Sequence, residues 1–87
     1  MAQQLWTYTL TTHGPRYTTR AYDRELSVFK NGDLYWYEIT NPKKPHRKVK
    51  SIEHGYKGNT NPYTVQKDAL ATAARIMSGE TLEAVRP

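Results

Sequence analysis

Cysteine is absent from the chain, so neither a disulfide nor a thiolate zinc site can brace it. Long apolar runs are missing too. The longest stretch free of charges and turn residues falls far short of the roughly 20 residues that a membrane span requires. No basic stretch followed by an apolar core opens the sequence, and a cytoplasmic location is the expectation. Acidic residues are in the minority, 8 against 13 Lys and Arg, which gives a net charge of +5 and a pI near 9.6. That balance favours approach to a polyanion or an acidic protein surface without choosing between them.

With 87 residues and 37% hydrophobic content, the sequence reads as one domain, residues 1–87, with one small core. Apolar material comes mainly from seven Tyr, two Trp, one Phe and an alanine-rich segment near the C-terminus.

What is present reads mostly as strand. "QLWTYTLTT" alternates Trp6, Tyr8 and Leu10 with Leu5, Thr7 and Thr9, and "RYTTRAY" alternates Tyr17, Thr19 and Ala21 with Thr18, Arg20 and Tyr22. A turn around Gly14 and Pro15 makes these a hairpin with one Thr-rich, wet face. "LSVFKNGDLYWYEIT" predicts a second hairpin, with a type I′ turn at Asn31-Gly32. In its second arm Leu34, Trp36 and Glu38 share one face and Tyr35, Tyr37 and Ile39 the other. Only one face can lie wholly on the core; Trp36 is the expected core residue, and Tyr35 and Tyr37 stay open. "TNPKKP" ends that arm, after which "HRKVKSI" resumes a strand with Val49 and Ile52 as its apolar members.

Asn61-Pro62 then starts a helix, as N-cap and first helical residue. Val65, Ala69, Leu70, Ala73, Ile76 and Met77 form its apolar stripe, and Gly79 ends it. "TLEAVRP" reads as a short returning strand or a tail. The expected class is α+β: an antiparallel sheet of three to five strands, built from two hairpins, with one C-terminal amphipathic helix on one face.

No constellation of catalytic type appears. His13, His46 and His54 lack a second ligand at metal spacing, Ser27, Ser51 and Ser78 lack a nucleophile elbow, and no glycine-rich phosphate cradle is present. The expectation is a non-enzyme without cofactor or metal. Charge carries the functional signal instead. "NPKKPHRKVKSIEHGYK" holds Lys43, Lys44, Arg47, Lys48, Lys50 and Lys57 against one acid, Glu53. Lys43, Lys44, Arg47, Lys48 and Lys50 of this strip, with Tyr35, Tyr37 and Arg20, form the candidate nucleic-acid-binding set. Lysines and prolines on a strand also guard a sheet edge against pairing, so a solvated edge is the rival reading.

"KNGDLYWYEI", "HRKVKSIEHGYK" and "TVQKDALATAARIM" together resemble the arm-type DNA-binding domain of tyrosine recombinases, the integrases of phages and transposons. The resemblance rests on Gly32, Trp36, Arg47, Lys48, Lys50, Gly55, Tyr56, Lys67, Ala69 and Ala73, over about half the chain. It implies a three-stranded sheet laid in the DNA major groove, with Tyr35, Tyr37, Arg47, Lys48 and Lys50 toward DNA and Trp36 packed under the helix. Two departures stand out: an extra hairpin precedes the match, and within these 87 residues no recombinase domain follows it. The expected function is therefore a small DNA-binding accessory or regulatory protein of a phage or mobile element, with RNA as the second nucleic-acid ligand. The alternative is a small phage-encoded inhibitor, of the kind that blocks a CRISPR complex or another host enzyme through a protein surface. No membrane partner is expected, and the protein is a monomer or a weak homodimer paired through an exposed edge strand.

Overall fold

A computed structural model describes residues 4–79. Five strands follow one another as an antiparallel meander in the order β1-β2-β3-β4-β5: β1 Thr7–Thr11, β2 Gly14–Ala21, β3 Arg24–Asn31, β4 Leu34–Asn41 and β5 Lys44–Lys50. A short 3-10 turn, Ser51–His54, leads through a loop to one helix, α1, Pro62–Met77. The class is α+β, and four hairpins replace the two expected from the turn signals. The expectations for "TLEAVRP" lie outside the described residues.

The additional hairpins escape a Gly-based reading because their turns are made by other residues. Between β2 and β3 the turn is Tyr22-Asp23, both at positive φ (54° and 58°), the pattern of a type I′ turn built without glycine. The β3–β4 turn sits one residue later than expected. Asn31 pairs with Leu34, so Gly32-Asp33 form the loop, and only Gly32 has positive φ. That is the type II′ pattern, in which glycine takes the first central position.

Helix α1 starts and stops as its caps dictate. Asn61 Oδ1 accepts from the Tyr63 amide at 2.9 Å, Pro62 takes the first helical position, and Gly79 N–H donates to the Ile76 carbonyl at 3.0 Å. The helix packs across β3 and β4. Val65, Ala69 and Ala73 bury fully against Leu26, Val28, Tyr37 and Ile39. Alanines at the contact let the helix backbone approach the sheet closely. Gln66 and Thr72 are buried as well, whereas Met77, expected on the stripe, is largely exposed.

Burial settles which face of β4 is the inner one, and it reverses the expectation. Tyr37 is only 7% exposed and Tyr35 packs against the core rim, while Trp36 lies on the opposite face. The cause is register. Tyr37 pairs with Val28 and Ile39 with Leu26, so they share the face of the aliphatic pair that the helix covers. Within that core the Tyr37 hydroxyl and Thr72 Oγ1 are 2.8 Å apart, and Tyr37 meets Tyr56 edge-on with ring centroids 5.0 Å apart. Ile52 is a second departure: β5 ends at Lys50, the chain tightens into the 3-10 turn, and Ile52 is 58% exposed. Ser51 is buried instead, its Oγ accepting the Tyr37 amide at 3.0 Å where β5 no longer supplies a ladder partner.

Candidate nucleic-acid interface

With the helix on one side, the other side of the sheet has no covering element among the described residues. Strand pairing fixes what it presents, because directly paired residues share a face. One row across the sheet reads Thr9, Arg16, Phe29, Trp36. The next reads Thr7, Thr18, Ser27, Glu38, Lys50, and the third Arg20, Glu25, Thr40, Lys48. The face thus carries Arg16, Arg20, Lys48 and Lys50 against Glu25 and Glu38, a field of hydroxyls, and one adjacent aromatic pair.

Those aromatics are held in place. The Arg16 guanidinium lies over the Phe29 ring, 5.1 Å from its centroid. Trp36 Nε1 donates to the Asn31 carbonyl at 3.4 Å, and the Trp36 ring sits 6.4 Å from that of Tyr56. Gly58, at φ +72°, passes so close that a Cβ there would stand 3.0 Å from Leu34 Cβ and 3.2 Å from Trp36 Cε2. Trp36 is half-buried at this margin, with the loop as its backstop. Two hollows flank Phe29: one of about 510 Å³ lined by His13, Arg16 and Lys30 among others, and one of about 150 Å³ lined by Trp36, Lys50 and Ile52 among others.

The basic strip does not stay together. Thr40 pairs with Lys48 but Asn41 pairs with Lys44, so Pro45, His46 and Arg47 bulge from β5 without partners on β4. Lys48 and Lys50 project onto the open face opposite Thr40 and Glu38. Arg47 and Lys44 line a depression with Arg24, Val49 and Ile76 on the helix side, and Lys43 lies in the β4–β5 turn. Lys48 Nζ is 3.9 Å from Glu38 Oε1, a long contact between an exposed lysine and a half-buried carboxylate that a phosphate can replace.

Of the predicted binding residues, therefore, Arg20, Lys48 and Lys50 meet on one surface. Lys43, Lys44 and Arg47 do not join them. Tyr35 and Tyr37 are corrected: both face the helix, and the buried Tyr37 is spent on the core. Sequence reasoning named neither Arg16 nor Phe29 as a binding residue and assigned Trp36 to the core. The signal was cross-strand arithmetic: correct turn positions place Arg16, Phe29 and Trp36 in one row.

Tyrosines of the inner face hold their protons strongly. Burial, then the hydrogen bond to Asp68 and the charge on that carboxylate, push the Tyr56 hydroxyl well above the usual phenol range; it donates to Asp68 Oδ2 at 2.5 Å. Tyr37 and Tyr17 are raised chiefly by burial. The Tyr56 hydroxyl is a structural donor that ties the loop to the helix. Among the described residues no cluster of three or more His, Asp or Glu could hold a metal ion, and no helix is long and apolar enough to cross a membrane.

No protein-family model, no curated protein and no solved structure matches this chain.

Proposed function

We propose that this protein binds nucleic acid through the open sheet face, with Arg16, Arg20, Lys48 and Lys50 on phosphates and Phe29 and Trp36 against bases. The observation that carries the reading is the row Arg16-Phe29-Trp36: a cation, and two aromatics on neighbouring strands, on a sheet face with no covering element. Bases stack on such rings whatever their sequence, and cations beside them track the backbone.

Sheet width bears on the form of the ligand. Five strands at about 4.8 Å spacing extend roughly 19 Å, against a major groove about 12 Å wide, so the whole face cannot enter a duplex groove. An unpaired strand can cross all five. This favours single-stranded DNA or RNA over the groove insertion that the recombinase resemblance implies.

Fluorescence anisotropy of labelled single-stranded DNA, duplex DNA and RNA tests the proposal. Expected is salt-sensitive binding, strongest for an unpaired strand, that weakens by about 1–3 kcal/mol in Phe29→Ala, the usual worth of a base stacked on an aromatic ring. Absence of binding to all three at low salt refutes it.

A further inference from the structure

The two edges of the sheet are built differently. β5 carries Lys44, Lys48 and Lys50, a proline and a three-residue bulge, each a device that discourages a further strand from pairing. β1 has none of them. Its sequence, Thr-Tyr-Thr-Leu-Thr, contains no charge, no proline and no glycine, and all five residues pair with β2 without a break in register. Among the described residues, no strand pairs with its outer edge. Because α1 packs over β3 and β4, the inner-face residues of β1 are left uncovered: Tyr8 is 54% exposed and Leu10 72%.

We propose that β1 is a homodimer edge, where two copies pair antiparallel about a two-fold axis through Thr9. A two-fold perpendicular to the sheet keeps each face on its own side, so paired residues must have the same parity. Centring on Thr9 is the choice that pairs all of β1: Thr7 with the partner's Thr11, Tyr8 with the partner's Leu10, and Thr9 with the partner's Thr9. The exposed Tyr8 and Leu10 then cover one another twice, and the threonines form a hydroxyl ladder on the opposite face.

Charge supports a second copy as the occupant. Each chain carries +5, and like-charged copies repel. The lysines of β5 lie four strand spacings from β1, roughly 19 Å, beyond the Debye length of about 8 Å at physiological ionic strength. Joining at β1 brings together the uncharged edges and leaves the lysine edges at opposite ends of a ten-stranded sheet. Both open faces then lie on the same side as one continuous surface.

The absence of native cysteine makes the test direct. Full-length Thr9→Cys, oxidised at micromolar concentration, is expected to form a covalent dimer, whereas Thr11→Cys is not, since its two-fold partner is Thr7. Analytical ultracentrifugation of the unmodified chain is expected to show a concentration-dependent dimer. Leu10→Lys, at a site too exposed to unfold the monomer, should weaken that dimer at least about tenfold by replacing both Tyr8–Leu10 contacts. A chain that stays monomeric and in which Thr9→Cys fails to cross-link overturns the proposal. So does a dimer indifferent to Leu10→Lys. Neither result depends on nucleic-acid binding.

Discussion

Splitting the basic strip between two faces gives a prediction that separates the folded surface from the sequence run. On the open face four cations, Arg16, Arg20, Lys48 and Lys50, are available to phosphates. If each makes one contact with an unpaired strand, the slope of log K against log salt is about −0.7 × 4, or roughly −2.8. Raising salt from about 50 to 200 mM then costs roughly 50-fold in affinity. Removing two contacts with Lys48→Ala/Lys50→Ala should halve the slope to about −1.4 and shrink that loss to roughly 7-fold. The control is Lys44→Ala/Arg47→Ala, which removes the same charge from the same strand but from the helix side, and should leave the slope nearly unchanged. All of these side chains are exposed, so both variants should fold normally. The assay is anisotropy on a labelled oligonucleotide at four or five salt concentrations, with thermal melts alongside. Equal slope changes in the two double variants would refute the face assignment and return the binding site to the strip as a whole.

Other expectations concern the scaffold. Ser51→Ala leaves the buried Tyr37 amide without its acceptor and should cost about 1–3 kcal/mol in urea unfolding, a large effect for removing one oxygen. Stability should fall as pH rises above about 10, because Tyr56, Tyr37 and Tyr17 keep their protons in the fold at pH values where the unfolded chain has released them. Tyr56→Phe should flatten that alkaline decline, while losing about 1–2 kcal/mol at neutral pH with the Asp68 bond; chemical denaturation from pH 7 to 11 measures both. Asp23→Gly relieves a non-glycine residue at φ 58° in the β2–β3 turn and should raise stability by up to about 1 kcal/mol, read as a higher urea midpoint at unchanged m-value.

Sequence alone determined the elements whose causes are local. Period-two alternation made the strands, Asn61-Pro62 and Gly79 bounded the helix, and the spacing of Val65, Ala69 and Ala73 gave it an apolar face. The Tyr22-Asp23 turn was illegible because it lacks glycine and Tyr22 does not announce positive φ; the flanking strands impose it. Only the tertiary structure decided the faces. Alternation sorts Trp36 from Tyr35 and Tyr37 but is blind to which set the helix will cover; pairing with Leu26 and Val28 on β3 decides it. Lys44 and Arg47 parted from Lys48 and Lys50 for a related reason. Charge counts treat a run of lysines as one patch, while the bulge at Pro45–Arg47 and the pleat beyond it send neighbours to opposite sides. The row Arg16-Phe29-Trp36 exists only once three strands lie in register, because its members are far apart along the chain and adjacent solely through the ladder.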